Sequence, residues 1–143
     1  MKSFFPLYRS LLMALFVAAS LTACKKDNEP APDVATRVAG TYTFSELTYG
    51  GRTVPASQTN LKGNVTVTRQ TASTISMALD ITSKSDDEPF LVGSVDDIAV
   101  TDAGNGDVEF KADSDKIARA SGNKLIINGT DDNDVDFTIT ATK

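Results

Sequence analysis

The chain has 143 residues, with 14 Lys and Arg against 19 Asp and Glu, a net charge of −5, no histidine, no tryptophan and one cysteine. Without histidine, and with a lone thiol, imidazole-based catalysis, Ser-His-Asp and Cys-His arrangements and zinc or copper sites of nitrogen and sulfur ligands are excluded. The acidic balance argues against nucleic acid, which is held by basic side chains that neutralise phosphates.

The chain opens with Lys2 and Arg9, followed by the apolar run Leu11–Leu21, LLMALFVAASL. A run of this length suits a secretory signal and falls well short of the ~20 residues that span a bilayer as a helix. A buried helix of a folded domain would carry polar positions at helical spacing, and none interrupts Leu11–Ala19. Small residues then lead into a thiol at Leu21-Thr22-Ala23-Cys24, which resembles the lipobox of bacterial lipoproteins. The resemblance implies that residues 1–23 are a signal peptide cut before Cys24, and that the Cys24 thiol carries a diacylglycerol. An ordinary secreted form would instead leave Cys24 as an odd free thiol.

Lys25-Lys26-Asp27-Asn28-Glu29 resembles the short acidic signal that sends lipoproteins of some Gram-negative groups to the cell surface; the plainer reading is the start of a solvated tether. The implied address is the outer membrane, lipid-anchored and displayed at the surface. Loss of residues 1–23 removes Lys2 and Arg9 but no acid, so the 120 remaining residues carry a net charge near −7. Such a surface does not lie flat on anionic lipid, and the membrane partner is met through the acyl anchor alone. Residues 24–36, polar and holding Pro30 and Pro32, form the lipidated cysteine and an extended tether.

From residue 37 to Lys143 the chain is rich in Thr, Val, Ile, Phe and Tyr, with Gly, Asn, Asp and Ser at short intervals, the pattern of antiparallel hairpins. Strands are expected at Gly40–Tyr49, Arg52–Pro55, Gly63–Arg69, Ser73–Thr82, Phe90–Val95, Ile98–Thr101, Asp107–Ala112, Lys116–Ala120, Lys124–Asn128 and from Val135 to Thr142. Ser73–Thr82 is the cleanest, with Ile75, Met77, Leu79 and Ile81 on one face. In the first strand Tyr42 and Phe44 have the opposite parity to Leu47 and Tyr49, so a bulge is expected near Ser45-Glu46. Turns are expected at Ala103–Gly106, Ser121–Asn123 and Gly129–Asp134. No disulfide is available, so the core alone must hold the domain. The fold class is all-β: an up-and-down meander of about eight strands, favoured over a two-sheet sandwich because closure into a barrel removes exposed edges.

Opening such a meander with G-x-W is the habit of lipocalins and the wider calycin group, and Gly40-Thr41-Tyr42 resembles it with Tyr in the Trp place. Asn123–Thr130, followed by an acidic turn and Phe137-Thr138-Ile139-Thr140, is similar to the late strands of small lipocalin-like lipoproteins of Gram-negative bacteria. The resemblance implies a barrel over residues 37–143, a small apolar or amphipathic ligand at its open end, and a basic residue packed over Tyr42 from the last strand. Lys143 is the candidate for that place.

The candidate ligand-lining residues are the large side chains expected to point inward: Tyr42, Phe44, Met77, Phe90, Phe110 and Phe137. An eight-stranded barrel can hold one small ligand or be filled by its own side chains. A filled barrel would suit a structural lipoprotein that contacts an envelope protein partner. Asp131-Asp132-Asn133-Asp134 lacks the glycine and glutamate spacing of an EF-hand and reads as an acidic hairpin turn. The domain glutamates Glu46, Glu88 and Glu109 are scattered, with nothing to pair two as glycosidases do, so no enzyme and no cofactor is expected.

Overall fold

The computed structural model describes residues 30–143. The expected signal peptide, Cys24 and the first residues of the expected tether lie outside the described residues. A short helix, α1 (Val34–Val38), precedes nine strands: β1 (Gly40–Tyr49), β2 (Arg52–Pro55), β3 (Leu61–Arg69), β4 (Thr74–Ser83), β5 (Pro89–Gly104), β6 (Asp107–Ala112), β7 (Asp115–Ser121), β8 (Lys124–Thr130) and β9 (Asp136–Thr142). Every pairing is antiparallel. β1 pairs with β3 through Gly40–Thr43 and with β9 from Thr43 to Tyr49, and this second pairing closes an eight-stranded barrel. β2 is the extra strand. It lies along β1 beyond the end of β3, from Glu46↔Pro55 to Tyr49↔Arg52.

Closure depends on the phase change in β1. Phe44 faces Ala141 and Glu46 faces Thr140, so Ser45 is the extra residue. Its hydroxyl donates to the Thr140 carbonyl at 3.0 Å, which holds the bulge in place. Beyond it, Leu47 and Tyr49 share a face with Ile139 and Phe137. Inward positions of the strands then converge on one core, with Tyr42, Val65, Ile75, Ile81, Ile98, Val108, Phe110, Leu125 and Ile139 fully buried. Gly63 has φ +149, and a Cβ there would run into the Asp80 carbonyl of β4, so only glycine allows that approach.

Two expectations change. Phe90–Val95 and Ile98–Thr101 are one strand, β5, bent by a bulge in which Asp97 has φ +56. The Asp96-Asp97 pair reads as a turn, but the opposite strand β4 runs straight past it. Residues 34–36, expected in the tether, are helical, and no long stretch was needed to make α1. Asp33 caps it by accepting from the Thr36 amide at 2.8 Å, and Ala35 and Val38 are buried against the barrel core.

Candidate functional site

The barrel has one sealed end and one open end. At the sealed end α1 is tied down at several points. The Ala35 amide donates to the Ala72 carbonyl of the β3–β4 turn at 3.3 Å. Arg69 binds the Asp33 carboxylate, and Arg37 reaches Asp102 at 2.6 Å. Inside this cover the Tyr42 hydroxyl donates to the Val38 carbonyl at 2.8 Å. Lys143 Nζ sits 4.6 Å from the centre of the Tyr42 ring and donates to the Ala39 carbonyl at 2.9 Å. The basic residue thus stands over the aromatic of the G-x-Y opening, a cation–π contact across the first and last strands. Desolvation lowers the Lys143 pKa, and the Arg69 guanidinium with the Thr36 amide holds the Asp33 carboxyl well below the usual carboxylate range.

Four of the six sequence candidates, Tyr42, Phe44, Met77 and Phe110, lie in the packed core, and Phe44 is the least buried of them at 4% exposure. The structure brings Phe137 and Phe90 together elsewhere, at the open end. Phe137 is half-buried and packs against the core. Its ring lies directly over Gly129, the β8 residue opposite, and a Cβ on Gly129 would occupy the ring's place. Phe90 does not point inward as expected; its side chain is 48% exposed. Ile81 pairs with Leu91 and Thr82 with Pro89, which makes Phe90 the extra residue of a bulge. Leu91, Gly93 and Val95 therefore share the inner face with Ile81, Leu79 and Met77, and the inward placement of Phe90 is out of phase.

Phe90, Leu91 and Phe137, with Thr130, Asp131 and Asp132, line a cleft of about 290 Å³ at this mouth. On the other side of Phe137 a wider and more polar hollow of about 430 Å³ is lined by residues including Lys116, Asn128, Thr130 and Asp136. Sequence reasoning missed Leu91 and Gly129 as parts of a site, and read the β8–β9 loop only as an acidic hairpin turn. A glycine inside a strand, two residues from an acidic turn and opposite an aromatic, was the signal for the second.

Asp131 organises the rim. Its Oδ1 accepts from the Asn133 amide at 2.8 Å and the Val135 amide at 2.9 Å, and its Oδ2 accepts from the Tyr49 hydroxyl at 2.6 Å. These bonds lower the Asp131 pKa, with the Tyr49 contact foremost, and raise that of Tyr49. The carboxylate is thus committed to fixing a turn and tying β1 to the β8–β9 loop. Among the described residues no group of three or more acids is placed to share a cation. Glu109, one of the scattered glutamates, pairs with Lys116 at 2.6 Å on the outer face of β6.

No family model matches the chain, and no curated protein matches it. Among solved structures the chain is similar to a candidate outer membrane protein of Bacteroides fragilis NCTC 9343, at 16% identity and a TM-score of 0.52, over 78% of this chain and 53% of that one. The chain thus spans about half the length of that protein. Two redesigned β barrels also align: mFAP1, bound to DFHBI, at 16% identity and a TM-score of 0.46 over 77% of this chain and 98% of that one, and a second barrel at 17% identity and the same score over 79% and 96%. At these identities the likeness is one of fold.

Proposed function

We propose that the chain is a lipid-anchored envelope protein of lipocalin-like type that takes up a small apolar or amphipathic molecule at the open end of its barrel. The carrying observation is the cleft of about 290 Å³, in which Phe90, Leu91 and Phe137 form an apolar floor and the β8–β9 loop supplies polar groups on one side. Ligand sites commonly combine apolar walls with a few placed polar groups, and this one lies at the lower end of their usual size. In this reading Tyr42, Phe44, Met77 and Phe110 support the site from below rather than line it. The cation–π seal between Lys143 and Tyr42 fits the calycin resemblance, and the candidate outer membrane protein that shares the fold agrees with the envelope address.

Native mass spectrometry of protein purified from its own host tests the ligand. A bound small molecule is expected, lost or weakened in Phe137→Ala; a ligand-free protein that also ignores hydrophobic dyes would overturn the reading. Metabolic labelling with a palmitate analogue tests the anchor, and equal label in the Cys24→Ser variant would sink it. A second reading, a structural lipoprotein that meets an envelope partner, draws on the filled half of the barrel beneath the cleft.

A further inference from the structure

The wall of the barrel is interrupted at one place. β5 runs from Pro89 to Gly104, but β6 pairs only with its second part, from Ala99↔Lys111 to Gly104↔Asp107. Among the described residues, 89–98 have β4 on one side and no strand on the other. The cause is the short β6–β7 hairpin, which turns back at Asp113-Ser114, both at positive φ. β8 is bare on the same side, since β7 pairs with it only up to Ile127 and leaves Asn128–Thr130 bound to β9 alone.

A bare ladder edge is a template for another strand, and proteins guard such edges with charge, proline and bulges. Here the guards stand at the ends of the segment: Pro89 at one, the Asp96-Asp97 bulge at the other. Between them Phe90, Val92 and Val95 are 48%, 55% and 40% exposed, three of the four large apolar residues that the described residues leave exposed. Among the described residues no strand meets the backbone groups on that side, and at its end the Asp97 amide donates to the Gln70 side-chain carbonyl at 3.1 Å.

The surroundings select what could pair there. Asp96 and Asp97 flank one end, Asp131 and Asp132 the other, and Asp113 and Asp115 stand at the hairpin tip beside the gap. The lysines of that hairpin, Lys111 and Lys116, face Glu109. We infer that the free edge of β5 accepts an extended, basic segment of a partner protein as an added strand, with backbone hydrogen bonds giving attachment and alternate apolar and cationic side chains giving selection. Recognition by strand addition works in this way. A second copy of the chain would bring Asp96 and Asp97 against the same acids, and like charges brought together in this way reject it. The inference goes beyond the small-molecule reading although the two surfaces meet at Phe90, and Asp96, which lies outside the cleft, tells them apart in the test.

The test uses the full chain and three synthetic peptides: an alternating Lys-Val heptapeptide, its Glu-Val counterpart, and the Lys-Val peptide N-methylated on every amide, so that neither of its edges can donate. Calorimetry is expected to show binding of the Lys-Val peptide, weakening as salt is added, and none of the N-methylated one. The Glu-Val peptide is expected to bind at least about tenfold more weakly. Hydrogen exchange should slow at amides within residues 90–97, and Asp96→Asn should weaken the Lys-Val peptide several-fold while leaving the circular dichroism spectrum unchanged. Equal affinity for the two charged peptides, binding of the N-methylated one, or protection confined to other strands would overturn the inference. So would no binding at all, or a dimer of the free chain with these amides already protected.

Discussion

At one end of the barrel α1 covers Tyr42, whose hydroxyl and ring are both engaged, by the Val38 carbonyl and by Lys143; at the other end Tyr49, an equivalent side chain on the same strand, stands 43% exposed and is bound only through its hydroxyl to Asp131. The two tyrosines lie on opposite sides of the Ser45 bulge. The sealed end is closed by apolar burial beneath a helix, and its ion pairs, Asp33–Arg69 and Arg37–Asp102, sit outside that burial as clamps. The open end is held by a hydrogen-bonded loop, with aromatic surface left facing solvent. Burial makes stability and leaves nothing for a ligand; partial burial makes a site at the expense of stability.

The contrast can be broken or sharpened by substitution, starting with the filled core. Phe110→Ala empties a fully buried site and is expected to cost about 3–5 kcal/mol in urea unfolding. Gly129→Ala places a methyl group where the Phe137 ring lies, and the strain is expected to cost about 1–3 kcal/mol. It should also swing the ring away from the cleft, read as a change in hydrophobic-dye fluorescence; an unchanged dye signal would separate Phe137 from the site. Tyr42→Phe keeps the ring beneath Lys143 but strips the Val38 carbonyl of its buried donor, for about 1 kcal/mol, with faster hydrogen exchange confined to α1.

Acid is expected to loosen the sealed end. The Asp33 pKa is depressed in the folded protein, so its contribution is complete above the unfolded value near ~4 and is lost as the pH falls through the folded value. Asp33→Ala should therefore flatten the acid limb of a stability-against-pH curve; an identical limb would remove the clamp from the account. The smallest effect belongs to Phe90→Ala, expected within about 0.5 kcal/mol of the parent in stability because the side chain is nearly half exposed. It should nonetheless reduce dye or ligand affinity, the reverse of the Phe110 result.

Much of the barrel was legible because period-2 alternation survives in strands with one face in the core. β4 shows it throughout, and β6 runs from Asp107 to Ala112 as expected. The β1 bulge was legible as well, since Tyr42 and Phe44 cannot share a face with Leu47 and Tyr49 unless one residue is set aside. β5 was harder. Its first half is solvated on both faces, so alternation there reports little, and the bulges at Phe90 and at Asp96-Asp97 each reverse the phase. That is why alternation alone puts Phe90 inward and overlooks Leu91.

The order of the strands, their turns and the apolar set that fills the barrel follow from the amino-acid sequence, because local alternation and positive-φ turn residues act over a few neighbours. Which end is sealed, where the wall gapes and which aromatics reach solvent were decided by tertiary structure. Those features depend on how far each strand pairs with a neighbour distant in the chain: β1 with β9 to close the barrel, and β6 with only half of β5. Pairing length is set by the register of the whole closed sheet, and no single segment carries it.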